Sequence, residues 1–120
     1  MAAQRSVLIV EDEKPLANAL KLKLQHEGMA TTIAVNGEEC LKLLDEQAFD
    51  VVLLDMMMPV MDGFQVLQEI AKRPTKPVVF VLSNLSVHDD KEKVLSLGAK
   101  KYFIKSDTPL SVIVEEVKAA

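Results

Sequence analysis

Residues 51–59 read Val51-Val52-Leu53-Leu54-Asp55-Met56-Met57-Met58-Pro59, so a run of four apolar residues is followed at once by an acid. The run is bounded by polar residues and by Pro59 and Asp62-Gly63, which predicts a strand that is buried on both faces of a sheet. Asp55 would then lie at the carboxyl end of this strand. Because ligands of open parallel α/β sheets bind at that end, the position of Asp55 favours a chemical role over simple solvation.

A second stretch of the same design opens the chain, where Val7-Leu8-Ile9-Val10 is followed by Glu11-Asp12-Glu13. If the two strands are parallel neighbours, Glu11, Asp12 and Asp55 converge at one edge of the sheet. Carboxylates this close raise one another's pKa unless a cation joins them. Oxygen ligands with room for water suit Mg²⁺, which commonly works with phosphate groups. The plainer alternative is that these acids end their strands and face water.

The rest of the chain alternates between strand and helix signals. Apolar runs recur at residues 7–10, 30–35, 51–54, 78–82 and 102–104, and each gap is long enough for one helix. This alternation predicts an α/β protein whose parallel sheet is covered by helices on both faces. Helix starts are indicated by Pro15, by Asn36 and Asp62 as caps, and by Thr108 as the N-cap before Pro109.

Composition limits the classes of protein to which the chain can belong. We expect residues 1–120 to form one globular domain with no output domain, given 49% hydrophobic and 27% charged residues. A net charge of −4 with scattered Lys and Arg argues against direct nucleic-acid binding. We find neither a membrane-spanning run nor a signal peptide. Cys40, the single cysteine, is spaced as a core residue, and we expect a cytoplasmic protein.

Polar or charged residues follow four of the predicted strands: Glu11-Asp12, Asp55, Ser83 and Lys105. Each signal alone is weak, but the set and its order resemble the receiver domain of two-component response regulators. The stretch from Asp55 to Gly63 is similar to the loop that carries the phosphoacceptor aspartate in that family, and the resemblance covers essentially the whole chain. It implies a flavodoxin-like (βα)₅ three-layer sandwich with strand order 2-1-3-4-5.

The resemblance also implies roles for individual residues. Asp55 resembles the phosphoacceptor, which would receive phosphate from a histidine kinase or a histidine phosphotransfer protein. The implied Mg²⁺ ligands are Asp12, Glu11 through water, Asp55, and the main-chain carbonyl of Met57. The remaining site positions are Lys105 as the phosphate-contacting lysine, Ser83 as the switch hydroxyl and Tyr102 as the switch aromatic. Phosphorylation would change the face made by the fourth helix, fifth strand and fifth helix, which would signal to a protein target that the sequence does not identify.

Some positions depart from the family pattern. Ser106 stands where proline usually follows the lysine with a cis bond, and because a cis bond without proline costs about 2.5–4 kcal/mol, we predict a trans bond. Asn84 replaces a small residue and would either narrow access to Asp55 or add a hydrogen bond to phosphate. Met57 and Leu85 are apolar residues at the predicted site mouth, and neither can activate water, which predicts slow hydrolysis of the phosphoryl group.

Other functions remain open at this point. The same fold could serve as an unphosphorylated interaction module, in which Tyr102 would be simply a half-buried aromatic. A magnesium-dependent aspartyl phosphatase is a further alternative, although such enzymes carry an acid two residues after the nucleophile, where this chain has Met57. A flavodoxin-like cofactor site is disfavoured because Glu11-Asp12-Glu13 replaces a glycine-rich phosphate loop. Neither His26 nor His88 has a phosphotransfer setting, so a partner would have to supply the histidine.

Overall fold

The computed structural model describes residues 4–56, 61–83 and 88–120. Within these ranges five strands alternate with five helices, as the sequence predicts. The elements are β1 (Ser6–Val10), α1 (Lys14–His26), β2 (Ala30–Ala34), α2 (Gly37–Glu46), β3 (Val51–Asp55), α3 (Gly63–Ala71), β4 (Val78–Ser83), α4 (His88–Ser96), β5 (Lys101–Ile104) and α5 (Leu110–Ala119). The longest helix, α1, has 13 residues, and none of the helices in the described ranges is long and apolar enough to cross a membrane.

The strands form one parallel sheet in the order β2-β1-β3-β4-β5, which confirms the predicted topology. The register pairs Val10 with Leu54, and Asp55 with Leu82. Strand ends are therefore aligned, so that residues following β1, β3, β4 and β5 meet at one edge. We call this the carboxyl edge, and the opposite edge, where the strands begin, the amino edge.

Each face of the sheet carries its own core because successive strand residues point to opposite sides. The α2–α4 core contains, among others, Leu8, Val10, Cys40, Val52, Leu54, Val66, Leu67, Ile70, Val79, Val81 and Val94. The α1–α5 core contains, among others, Val7, Ile9, Ala17, Leu20, Leu24, Val51, Leu53, Phe80, Leu82, Ile113, Val114 and Val117. The sheet between these two cores is the middle layer of the predicted three-layer sandwich.

Helix caps fix where several helices begin. The Asp62 side chain accepts a hydrogen bond from the Gln65 amide at 3.0 Å, and the Gln65 side chain accepts one from the Asp62 amide at 3.1 Å. Asn36 caps α2 by accepting from the Glu39 amide at 2.8 Å. The predicted start of α5 was wrong by one residue. Pro109 and not Thr108 is the N-cap, because its ψ of 148° keeps it extended and the helix begins at Leu110.

Polar side chains at the amino edge are bonded mainly to the backbone. The Asp50 carboxylate accepts a hydrogen bond from the Ser6 amide at 2.8 Å. Arg5 donates to the carbonyl of Val117 at 2.9 Å and also to that of Ala120, so the beginning of β1 is tied to the last turn of α5. These bonds satisfy backbone groups that strand and helix ends leave without regular partners.

Arg73 makes a similar link between two helices at the same edge. It follows α3, and its guanidinium donates to the Asp45 carboxylate at 2.7 Å and to the Leu41 carbonyl at 3.3 Å. Both acceptors belong to α2. The end of α3 is thereby joined to the last turns of α2, where a cation is also favoured by the helix dipole.

Candidate functional site

Three acids meet at the carboxyl edge because β1 and β3 are adjacent and parallel. Glu11 follows β1 and its amide continues the ladder by donating to the Ala34 carbonyl at 3.0 Å. Asp55 is the last residue of β3. Both are buried, with 1% of Glu11 and 3% of Asp55 exposed, whereas Asp12 is exposed. One carboxylate oxygen from each of the three lies within 4.8 Å of the others, so the structure brings together the acids that the sequence analysis singled out.

Lys105 supplies the positive charge of this cluster. It follows β5, and its amide donates to the Ser83 carbonyl at 2.8 Å, which aligns the ends of β4 and β5. The Lys105 ammonium Nζ lies 2.6 Å from Glu11 Oε1 and 3.3 Å from Asp55 Oδ2. The lysine side chain is 10% exposed. Lys105 therefore bridges two carboxylates that would otherwise face each other inside the protein.

Burial and mutual repulsion change the acidity of these groups. Burial raises the pKa of Glu11 to about 7; the hydrogen bond with Asp55 acts in the same direction, and the contact with Lys105 opposes it. Burial alone would lower the pKa of Lys105, but its hydrogen bond with Glu11 and the negative charges of Asp55 and Glu11 outweigh that effect and raise it. Lys105 is thus a cation at neutral pH, while the surroundings of Glu11 favour its neutral form.

The donor set fits a hard divalent cation. Mg²⁺ prefers oxygen ligands at about 2.1 Å in octahedral geometry, which places neighbouring ligand oxygens about 3 Å apart and opposite ones about 4 Å apart. The three carboxylate oxygens lie within 4.8 Å of one another, which is slightly wider than the spacing of ligand oxygens around Mg²⁺. Small side-chain movements, or a water molecule between the ion and one acid, would make the two geometries agree. A cation would also oppose the burial and the repulsion by Asp55 that together raise the pKa of Glu11.

Ser83 and Tyr102, which the resemblance implies are the switch residues, lie on the neighbouring strands β4 and β5. Ser83 is the last residue of β4 and is completely buried, and it pairs in register with Ile104. Tyr102 lies on β5, pairs with Val81, and packs half-buried against the α2–α4 core. The two residues therefore connect the carboxyl edge with the layer that contains α4.

Other predicted positions have different outcomes. Three predicted positions lie outside the described residues: Met57, predicted as a metal ligand and at the site mouth, Asn84, and Leu85, predicted at the site mouth. The structure describes no side chain for His88. No cis peptide bond occurs among the described residues, so the bond between Lys105 and Ser106 is trans, as predicted.

Comparison with known families agrees with this geometry. A family model described as the response regulator receiver domain matches residues 7–117. The chain belongs to this family. The chain therefore forms a receiver domain of the two-component signalling type, and such domains are signalling modules and not classical enzymes.

Individual relatives of the receiver cover most of its length. A curated relative, the probable transcriptional regulator ycf27 of Cyanidium caldarium, is 40% identical over 106 residues, which cover 88% of this chain and 42% of that protein. The receiver thus spans less than half the length of that relative. The receiver domain of the Francisella response regulator 1452 superposes with a TM-score of 0.89 at 29% identity, covering 97% of this chain and 95% of that one. The response regulator TrrA of Thermotoga maritima, solved in complex with Mg²⁺-BeF, has a TM-score of 0.84 at 32% identity and covers 97% and 98%.

One feature of the receiver site was missed by reasoning from the sequence. The resemblance implied that Lys105 contacts the phosphoryl group, but its contact with Glu11, at 2.6 Å against 3.3 Å for Asp55, was not foreseen. The available signal was the identity of residue 11, because glutamate is one methylene longer than aspartate and reaches further across the sheet edge. That the longer Glu11 side chain contacts Lys105 becomes clear only from the register of β1, β3 and β5 in the sheet.

Proposed function

We propose that the receiver accepts a phosphoryl group on Asp55 from a phosphohistidine of a histidine kinase or a histidine phosphotransfer protein. The observation that carries the proposal is the setting of Asp55. The residue is 3% exposed. Its carboxylate belongs to a cluster of three acids with oxygens within 4.8 Å of one another and lies 3.3 Å from the Lys105 ammonium. We place this reaction in the cytoplasm, where the two-component partners of a receiver act. The single cysteine, Cys40, is compatible with that compartment.

Glu11, Asp12 and Asp55 are the described residues that would hold Mg²⁺. When bound, the ion neutralises charge on the phosphoryl oxygens and aligns the donor with Asp55. The buried position of Glu11 and the exposed position of Asp12 support direct coordination by Asp12 and a water-mediated contact by Glu11. Mg²⁺-BeF in the similar structure of Thermotoga maritima TrrA supports the choice of metal.

Three residues of the chain, Asp55, Lys105 and Ser83, would have separate roles in the reaction. A carboxylate oxygen of Asp55 attacks phosphorus, the bond between phosphorus and the imidazole nitrogen breaks, and its electron pair stays on that nitrogen of the donor. Lys105 and the Ser83 hydroxyl stabilise the charge that spreads over the peripheral phosphoryl oxygens. Hydrolysis of the acyl phosphate by water returns the Asp55 carboxylate. The receiver thus promotes only its own phosphorylation and dephosphorylation.

The signal would leave the site through Ser83 and Tyr102. The new phosphoryl group carries about −1.5 to −2 charges, which attract the Ser83 hydroxyl. Movement of Ser83 opens space for Tyr102 to turn inward. Because Tyr102 packs against the α2–α4 core, this rotation changes the face formed by α4, β5 and α5. The name of the 40% identical relative makes control of transcription the first output to test, through a partner or segment other than this domain.

Mass spectrometry after incubation with Mg²⁺ and a small phosphodonor tests the proposal. We expect one added phosphoryl group in the wild type and none in Asp55→Asn. Asp50→Asn is the matched control, because it makes the same change at the amino edge and should leave labelling intact. Labelling of Asp55→Asn, or an unlabelled wild type that binds neither Mg²⁺ nor beryllofluoride, would reject phosphorylation and favour the interaction module. Release of many phosphates per molecule from small esters would favour the phosphatase.

A further inference from the structure

Among the side chains that the structure describes, the two helices that border the proposed signalling face, α4 and α5, are attached very differently. α5 buries Ile113, Val114 and Val117. Its Glu116 lies 2.7 Å from Lys101, and its Lys118 lies 3.2 Å from Glu27. In α4, by contrast, Val94 is buried and the other side chains described, at positions 91–93, 95 and 96, are exposed. Ion pairs to other elements were not found for these described α4 side chains.

One contact does join α4 to a neighbouring helix. The Lys93 ammonium Nζ lies 4.3 Å from the centroid of the Phe64 ring. Phe64 is half-buried in the first turn of α3 and packs against the α2–α4 core. A cation above an aromatic face at this distance is attracted by the ring quadrupole. The contact therefore attaches the exposed middle of α4 to a ring whose own position is fixed by the core.

The first turn of α3 is packed tightly against the residue that follows Asp55. The Gly63 amide donates to the Met56 carbonyl at 3.1 Å. A Cβ added at Gly63 would lie 2.4 Å from Met56 Sδ and 2.8 Å from Met56 Cα. There is thus no spare space between these two residues, so a shift of the backbone at Met56 would act directly on Gly63, the residue next to Phe64.

We propose that the contact between Lys93 and Phe64 is a latch that holds α4 in the unmodified receiver and is released when Asp55 is occupied. The latch rests on the proposed function, because its release begins with the group added to Asp55. Displacement of Met56 by that group is transmitted through Gly63 to the Phe64 ring and withdraws the ring from Lys93. A contact that exists in the unmodified receiver and is lost in the modified one shifts the equilibrium between these two conformations by its full interaction free energy. For an exposed cation–π pair this corresponds to a change of about two- to fivefold in the equilibrium constant.

Hydrogen exchange of the full receiver without phosphodonor tests the holding role. In Lys93→Met, which keeps the side-chain length but removes the charge, we expect the amides of residues 91–96 to exchange about two- to fivefold faster while those of α5 are unchanged. Lys93→Arg should restore slow exchange, because a guanidinium also binds an aromatic face. Lys91→Met is the matched control on the same helix. Unchanged exchange in Lys93→Met, or equal acceleration in Lys91→Met, would overturn the latch.

Beryllofluoride titration with Mg²⁺ tests the release. Lys93→Met and Phe64→Leu should each bind the phosphate mimic about two- to fivefold more tightly than the wild type, and the double variant should gain no more than either single one. Equal or weaker binding by Lys93→Met would contradict release. If the wild type binds no beryllofluoride, the proposed function and the release step fail together, while hydrogen exchange still decides whether Lys93 holds α4.

Discussion

The two edges of the sheet use charged residues in opposite ways. At the amino edge, Asp50 and Arg5 bond to backbone groups, and Arg73 is shared between a carboxylate and a backbone carbonyl. At the carboxyl edge, Glu11 and Asp55 are buried against each other, with Lys105 between them. Charges of the first kind satisfy groups that folding would otherwise leave without partners. The charges at the carboxyl edge, by contrast, include two carboxylates that are held close together although they repel each other.

This difference separates stability from function in a testable way. Neutral replacements at the amino edge should weaken the fold and leave phosphoryl uptake unchanged. Neutral replacements at the carboxyl edge should impair uptake or metal binding, and removal of an acid there should stabilise the metal-free protein. Functional sites commonly retain such unfavourable arrangements because ligands relieve them.

The largest expected effect is the pH dependence caused by Glu11. Its pKa is about 7 in the folded protein against a usual value of 4.5, so folding favours the protonated form. The stability associated with this group is fully present below about pH 4.5 and is lost as pH rises through 7. The loss above pH 7 is up to about 3 kcal/mol, which Glu11→Gln should remove.

Urea unfolding of the metal-free protein at pH 4.5, 6 and 8 measures this effect. The stability gain of Glu11→Gln should grow with pH and be greatest at pH 8. Glu46→Gln, which neutralises an exposed acid of α2, should show no such trend. A gain of Glu11→Gln that is the same at every pH would contradict the assignment.

The next largest effect concerns Lys105 at the end of β5. Lys105→Met removes the ammonium that lies 3.3 Å from Asp55 Oδ2, and the rate of Asp55 labelling should fall about a hundredfold, as for loss of one charge-stabilising donor. Lys101→Met, at the amino edge of the same strand, should label at the wild-type rate. Rates are measured with Mg²⁺ present after circular dichroism shows that both variants are folded. A rate for Lys105→Met within threefold of wild type would refute this role.

Arg73 provides the converse experiment at the amino edge. Arg73→Met removes the contacts with Asp45 and the Leu41 carbonyl and should lower the free energy of unfolding by about 1 kcal/mol. Labelling of Asp55 should be unchanged. Lys72→Met is the matched control, because the side chain of Lys72 is 70% exposed and its loss should matter less. A clear fall in labelling for Arg73→Met would show that the two edges are not separate.

The smallest effect is expected between the edges, at Cys40. This thiol is completely buried in the α2–α4 core, and burial raises its pKa to about 12. At pH 8 the native protein should therefore resist alkylation under conditions in which urea-unfolded protein is fully modified. Beryllofluoride should not change this resistance. Rapid alkylation of the native protein would show that the core opens far more often than its packing suggests.

Much of this arrangement could be predicted from the sequence, because apolar runs and the residues that follow them are local signals. The runs located all five strands, and the residues after them placed Glu11, Asp12, Asp55, Ser83 and Lys105 at one edge. The family resemblance added the strand order, which the sheet confirms.

Side-chain pairs between distant elements were harder to predict. The contacts of Arg73 with α2, and of Lys93 with Phe64, depend on where helices lie on the sheet, and no local pattern encodes that position. The start of α5 was wrong for a different reason. Proline at position 109 is compatible with both a first helical turn and an extended cap, since its ring fixes φ and leaves ψ open.

The bond from Arg5 to the last turn of α5 has a practical consequence for anyone attaching reporters to this receiver. A tag that displaces Arg5 would remove this bond and so loosen the end of α5, the helix that borders the proposed signalling face and lies more than a hundred positions later in the chain. Fusions are therefore better joined through a spacer that leaves this arginine in place.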